Sequence, residues 1–329
     1  MTVDSKPPAL VISLDFELHW GVRDRLRPDG NYRTNLLGAR TVVTQLLGLF
    51  SEYQVAATWG TVGYLFAATR KELSAFHPKI RPLYVDSQLD PYRESVGSDE
   101  ISDPLHYAWS LVEKIGRTAH QEIASHTYSH YYCEAEGQNG DSFRADLAAA
   151  KRIAAYRGIS LQSLILPRNQ WNPSYAHIVK EEGFTCYRGV QRTRGGMSWP
   201  YSRSSLPARI TRLADAHLNI CGDGLTAWPE VIDNIGLCNV PASRFLRPVE
   251  GSDNVLVKLR LQRIRSSLVE ATKSGRIYHL WWHPHNFGAR ISENIAFLRQ
   301  IFEDYRRLHE SDGLESLSMA DVSRHSHVR

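Results

Sequence analysis

The chain has little cysteine: four residues in 329, and none of Cys133, Cys186, Cys221 and Cys238 stands in a C-x-x-C pair. Four scattered thiols cannot staple a chain of this length and offer no thiolate metal knuckle, so reduced structural thiols are expected. Long hydrophobic runs are also missing. Stretches such as VISL and IYHLWW fall well short of the roughly 20 apolar residues a bilayer span needs. The N-terminal MTVDSKPPAL has no basic segment leading into a long apolar one, so a secretion leader is not expected and the protein is read as soluble and cytoplasmic. Repeats, low-complexity tracts and Pro/Gly/Ser linkers are absent, which makes residues 1–329 one expected domain. With 42% hydrophobic and 22% charged residues, the chain falls outside the disordered, collagen-like and coiled-coil classes. A net charge of +4 suits an anionic ligand but is far from a nucleic-acid tail.

What is present is a run of short apolar segments separated by stretches of helical period, the pattern of repeated βα units around a parallel sheet. Strands are predicted at 9–14, 54–59, 121–125, 162–166, 184–187, 277–282 and 314–318. Val42, Val43, Leu46, Leu47 and Phe50 fall on one face of a helix predicted over 38–51. SFRADLAAAKRIAAYRG reads as a helix with Asp141 as a possible cap and Gly158 as its C′ residue. NPSYAHIVKEEG offers Asn172 as N-cap, Pro173 at the first helical position and Gly183 as terminator. A long amphipathic helix is predicted over 292–309. Two stretches break the pattern. Residues 77–104 read as a long insertion that could gate a site. Residues 183–214 hold Arg188, Arg192, Arg194, Arg203, Arg209 and Arg212 with no acidic residue, which suits phosphate or carboxylate but equally a solvated loop.

The chain holds 14 histidines, and several stand with other polar groups at strand ends. In SLDFELHWG, Asp15 and Glu17 are two apart, so on a strand both carboxylates point to one side. In SHTYSH, His126 and His130 are four apart, a spacing that can bring two imidazoles onto one metal ion. Arg168 and Asn169 follow a strand in ILPRNQWNP, where a guanidinium can hold a neighbouring carboxylate ionised. In IYHLWWHPHNFG, His283 and His285 flank Pro284, placed as candidate proton donors. Each motif alone also has a plain reading: acids opening a polar loop, surface or capping histidines, an arginine closing a turn, a core histidine. The combination is more specific, because all four sets fall at the C-terminal ends of predicted strands, where barrel enzymes carry their chemistry.

In that order the motifs resemble those of the polysaccharide deacetylase family, carbohydrate esterase family 4. SHTYSH is similar to the family's H-[ST]-x-x-H signature, and VAATWGTVGYL looks like its second strand. Asp15-Phe16-Glu17 resembles a D-x-[DE] variant of the usual adjacent acid pair, PRNQ stands where R-x-P-x-G is usual, and WHPHNF resembles the terminal histidine motif. No match to the family's Asp-Trp motif is found. The resemblance implies a distorted (β/α)7 barrel and a divalent metal, foremost zinc, on Glu17, His126 and His130. It further implies Asp15 as general base, His283 as general acid and Arg168 holding Asp15. The substrate would be an N-acetylated amino sugar on a nucleotide or lipid carrier, in surface polysaccharide or lipopolysaccharide assembly. Trp20, Asn169, Trp171, Trp282 and His285 are the candidate substrate contacts. The alternatives are a deformylase or cyclic-amide hydrolase on the same fold, or a degenerate barrel kept as a sugar-binding protein. No nucleic-acid partner and no transmembrane segment are expected, and the sequence does not decide the oligomeric state.

Overall fold

The structure, a computed structural model, describes residues 6–190, 219, 222–249 and 255–327. Its sheet begins with β1 (Ala9–Phe16), in which every residue is buried. The two faces of that strand enter different cores. Leu10, Ile12, Leu14 and Phe16 pack outward under the helices, whereas Ala9 and Val11 join Ile165, Cys186, Val240 and Ile277 inside. Ser13, Asp15 and Glu17 continue the inward row, so the period of two that fills the lower barrel with apolar groups also points both acids at its mouth.

The remaining strands are β2 (Ala57–Thr61), β3 (Gln121–Ser125), β4 (Ser163–Leu164), β5 (Cys186–Tyr187), β6 (Cys238–Asn239), β7 (Arg244–Phe245), β8 (Ile277–Trp282) and β9 (Glu315–Leu317). All pairings between them are parallel, in the order β6-β5-β4-β3-β2-β1-β8-β7. The barrel closes through one extended run. Val240 and Ala242 donate backbone hydrogen bonds to Tyr187 and Gly189 on one side, and Ser243 and Leu246 donate to His279 and Trp281 on the other. That run makes β6 and β7 a single stave, the seventh. The distortion comes from β9, which pairs with the lower half of β1 and wedges it from β2, whose own pairing begins only at Ser13. The outcome is the distorted (β/α)7 barrel.

Around it lie α1 (Arg33–Tyr53), α2 (Arg70–Ala75), α3 (Trp109–Arg117), α4 (Gly140–Tyr156), α5 (Ala176–Glu181), α6 (Val255–Ser274), α7 (Ile291–Asp312) and α8 (Met319–His327). Leu36, Ala39, Val42, Val43, Leu46, Leu47 and Phe50 form the buried face of α1, each large side chain contributing about 1.5–3 kcal/mol by leaving water. Gln54 ends α1 in the left-handed conformation, so β2 starts three residues later than the apolar run suggests. The cap of α4 is Asn139 rather than Asp141, in a reciprocal pair of bonds with Ser142. Asn172 caps a short turn at Pro173–Tyr175, and Gly158 and Gly183 take the expected positive φ. The insertion is fastened down: Leu83 and Val85 donate to the carbonyls of Gly137 and Glu136, and Arg23 donates to that of Gln88. Most of the arginine-rich stretch, including Arg192, Arg194, Arg203, Arg209 and Arg212, lies outside the described residues. No helix among those residues is long and apolar enough to cross a membrane.

Candidate active site

The loops at the C-terminal ends of β1, β3, β4, β5 and β8 meet over the barrel mouth. Of the seven non-glycine residues with positive φ among the described residues, Leu18, Thr127, His130, Arg168 and Asn169 lie on these loops, so backbone strain is concentrated where the side chains converge. Glu17 is at the centre and 4% exposed. Its Oε2 lies 3.2 Å from His126 Nε2 and 3.1 Å from His130 Nε2, and its Oε1 lies 3.1 Å from His285 Nε2 and 3.6 Å from His283 Nε2. His126, His130 and Glu17 are all buried and near enough to share one ion.

The hydrogen-bond network fixes how these groups face each other. His126 Nδ1 is 2.9 Å from the Ile165 carbonyl oxygen, which can only accept, so a proton sits on Nδ1 and in the neutral ring the Nε2 lone pair faces the Glu17 carboxylate. A lone pair opposite a carboxylate oxygen calls for a cation there, either a second proton on the ring or a metal ion, and two imidazoles with a carboxylate could hold a divalent ion. His285 is turned the other way. Asn286 Nδ2 donates to the Tyr32 hydroxyl, that hydroxyl donates to His285 Nδ1 at 2.8 Å, and His285 Nε2–H is left to donate to Glu17. This makes His285 a partner of Glu17 rather than a contact for a sugar. His283 Nδ1 donates to Asn286 Oδ1 at 3.1 Å, which turns Nε2 toward Glu17 and toward Asp15, 3.7 Å away.

Asp15 is held by Arg188, and this corrects the expectation for Arg168. Two guanidinium nitrogens of Arg188 reach the two Asp15 oxygens at 2.6 and 2.8 Å, a fork-to-fork pair with both side chains buried. Arg188 also donates to Asn169 Oδ1 at 2.8 and 3.1 Å and to Ser13 Oγ at 3.1 Å, and it lies 4.4 Å over the Trp281 ring. Behind it, the Ser13 hydroxyl bonds His279 Nε2 at 2.8 Å, and His279 Nδ1 donates to the Val240 carbonyl. Arg168 instead pairs with Asp24 and lies 4.3 Å over Tyr132. Asn169, next in the chain and left-handed like Arg168, supports Arg188 in its place.

Burial alone would raise the Asp15 carboxyl, but the charges of Arg188, His126 and His283 leave it below its ordinary value. Burial acts the same way on Glu17, and the His283 charge with hydrogen bonds from the other three histidines holds it well below the carboxylate range. Burial pushes His130 down to about 4, which keeps it neutral at neutral pH, the form able to ligate a metal. His283 is also lowered by burial, partly offset by Glu17 and Asp15.

Two tryptophans expected to stack on substrate are core residues. Trp20 is 1% exposed, donates to the His106 carbonyl at 2.9 Å and packs on Tyr64, and Trp282 is fully buried against Phe287. Trp171 is half-buried, with one face stacked on Tyr187 at 4.0 Å. Sequence reasoning missed the role of Arg188, whose signal was its place directly after FTCY, the strand-end position of the other site residues. It also missed Asp146 on α4. That carboxylate, buried in the protein, accepts from the backbone N–H of Tyr128 and Ser129 at 2.7 and 3.2 Å and from the Ser129 hydroxyl, fixing the loop that carries both imidazoles.

No family model and no curated protein matches the chain. Solved structures do. A protein assigned to the polysaccharide deacetylases from Mycobacterium smegmatis superposes with a TM-score of 0.62 at 16% identity, over 99% of this chain and 92% of its own. A second so assigned, from Pseudomonas aeruginosa PAO1, gives 0.57 at 14% over 97% and 90%. An allantoinase gives 0.56 at 14% over 99% and 92%. Seven staves, site residues at their C-terminal ends and near-complete superposition agree: the chain has the polysaccharide deacetylase fold.

Proposed function

We propose that the protein is a metal-dependent amidohydrolase that removes the N-acetyl group of an amino sugar. The observation that carries this reading is the convergence of Glu17 Oε2 with two imidazole nitrogens at 3.1–3.2 Å beside a carboxylate, Asp15, that is paired and ionised. Glu17, His126 and His130 would hold the ion. A divalent metal there supplies the Lewis acidity that activates water and polarises an acyl carbonyl. Asp15 would take the proton of the attacking water, its orientation fixed by Arg188 and its low basicity matched to an activated rather than a free water. His283, held by Asn286 with Nε2 toward the site, would deliver a proton to the departing amine. Trp171 is the remaining candidate for stacking on a sugar ring.

The finer assignment is a cytoplasmic precursor on a nucleotide or lipid carrier, used in surface polysaccharide or lipopolysaccharide assembly. Support for it is the basic, acid-free stretch 183–214, suited to phosphates. A second reading, opening of a cyclic amide, is favoured by the allantoinase superposing as fully as the deacetylases do. Metal analysis of protein purified without chelators, with hydrolysis of acetyl, formyl and cyclic-imide substrates, tests both. Acetate release that needs a stoichiometric metal and disappears in His126→Ala supports the first reading, and turnover of cyclic imides alone supports the second. A chain without metal would overturn the first reading, and sugar binding without turnover of any of these substrates would overturn both.

A further inference from the structure

We propose a second divalent-metal site, separate from the first, formed by His19, His106 and Glu94, which fastens the 77–104 insertion to the loop that follows β1. The site takes a borderline ion of the zinc, cobalt or nickel class. Hard oxygen-seeking ions do not suit two imidazoles.

The two histidines are 1% and 3% exposed, and each has one ring nitrogen already committed. His19 Nε2 is 3.0 Å from the Leu26 carbonyl oxygen, which only accepts, so its proton is on Nε2 and Nδ1 is bare. His106 Nδ1 is 2.8 and 2.9 Å from the two Asp103 carboxylate oxygens, so a proton is on Nδ1 and in the neutral ring Nε2 is bare. The two bare nitrogens face each other at 3.1 Å, and Glu94 Oε1 lies 3.6 Å from one and 3.8 Å from the other. With both rings neutral, three electron-rich atoms face one another, an arrangement that repels unless a cation, a metal ion or a further proton, lies between. Atoms 3.1, 3.6 and 3.8 Å apart lie on a circle of radius about 2.0 Å, the length of a zinc–nitrogen bond.

The surroundings are those of ligands held for a metal. A carboxylate behind one imidazole and a backbone carbonyl behind the other set both tautomers and orient both rings. Trp20 packs edge-on 5.0 Å from the His106 ring and helps to hold it. Glu94 and Trp20 both line a cleft of about 280 Å³, so the carboxylate of the set borders open space. Glu94, Asp103 and His106 come from the insertion and the segment after it, whereas His19 is two residues from Glu17. An ion here would therefore tie the insertion to the turn that presents the central carboxylate.

The competing account is a proton shared between the two rings, and metal content separates them. The full-length protein, dialysed against a weak chelator, should carry about two ions per chain, falling to about one in Glu94→Gln and in His106→Ala and to a different one in His126→Ala. Glu94→Gln keeps the shape of the side chain, so loss of an ion there is not loss of the fold, and cobalt(II) absorption in that variant should report the remaining centre alone. A parent with one ion that His126→Ala removes and Glu94→Gln leaves would overturn the proposal in favour of the shared proton. A parent whose one ion is lost in Glu94→Gln and kept in His126→Ala would support this site and overturn the active-site reading instead.

Discussion

At the scale of single residues, the arrangement separates two arginines that look alike in the sequence. Arg188 fills both oxygens of a buried carboxylate, so Arg188→Ala leaves Asp15 desolvated and without its main partner. Burial is then unopposed at its largest source of compensation, and the carboxyl should rise toward neutrality. Removing one partner of a buried pair costs about 3–5 kcal/mol, so the variant should lose stability as well as turnover. Arg188→Lys keeps the charge but not the fork, and should keep the fold while losing most of kcat. Arg168→Ala removes a pair at a partly exposed side chain remote from Asp15, and kcat/KM should fall less than about tenfold, the scale of about 1.4 kcal/mol. Equal losses in Arg168→Ala and Arg188→Ala would contradict the geometry. The pH profile tests His283 in the same way. A general acid works only while protonated, and burial lowers this imidazole below 6.5, so kcat/KM should decline as pH rises through a midpoint below that of free histidine. His283→Gln should lower kcat by about 10²–10⁴-fold and abolish this alkaline limb. Rates that keep the limb in His283→Gln would give the acid role to another group.

At the scale of elements, the turns that carry the ligands are as constrained as the ligands. A methyl group added at Gly21 would sit 1.9 Å from Glu17 Cδ and 2.0 Å from its Oε1, so Gly21→Ala must displace the central carboxylate. Metal content should fall to the level of a Glu17 variant while far-ultraviolet circular dichroism stays unchanged, because the turn after β1 is short and the strand beneath it is held on both sides. Normal metal content in Gly21→Ala would mean that Glu17 is not a ligand. Asp146→Asn attacks the other turn. An amide offers one acceptor oxygen where the carboxylate receives three donors, and its NH₂ meets a backbone N–H head on. The expected cost is about 1–3 kcal/mol for each donor left unsatisfied, read as a lower urea midpoint. These turns also mark the limits of sequence reading. The long staves β1, β3 and β8 announce themselves by apolar runs, and the acid pair and both histidine pairs stand at their ends. Strands β4 and β5 are two residues each yet fall inside the predicted runs 162–166 and 184–187, whereas β6 and β7, equally short, have no predicted strand and form one stave whose continuity exists only in its hydrogen bonds. Arg188 is legible as a strand-end residue, but the arginines that follow it hide it in a stretch that reads as an anion surface. The tryptophans beside the motifs mislead because indole is as common in cores as in sugar sites, and adjacency in sequence does not report which face is open.

At the scale of the whole molecule, the site is a tie between distant parts of the chain. Glu17 at the end of β1 meets His126 and His285 across 109 and 268 residues of sequence, and Asp15 meets Arg188 across 173. Every contact therefore exists only when the barrel is closed, and the unfolded chain presents no such cluster to a metal. An ion that binds only the closed form stabilises it by about 4 kcal/mol when free metal exceeds its dissociation constant by about 1,000-fold. For a chain larger than about 250 residues each kcal/mol moves the melting temperature by about 2 °C, so stripping the ion should lower Tm by roughly 5–10 °C. The sign follows from the charges. Without a metal ion, buried Glu17 keeps its bond from His285 but faces the neutral His126 ring lone pair to oxygen, and the protein relieves this by protonating an imidazole or loosening the loops. Loosening would appear as faster hydrogen exchange at the ends of β1, β3 and β8 together, since they share the ligand set, while the apolar lower barrel keeps its protection. His126→Ala should already have lost this part of the stability and should respond less to a chelator than the parent does. An equal response of the two would mean that the stabilising ion sits elsewhere in the protein.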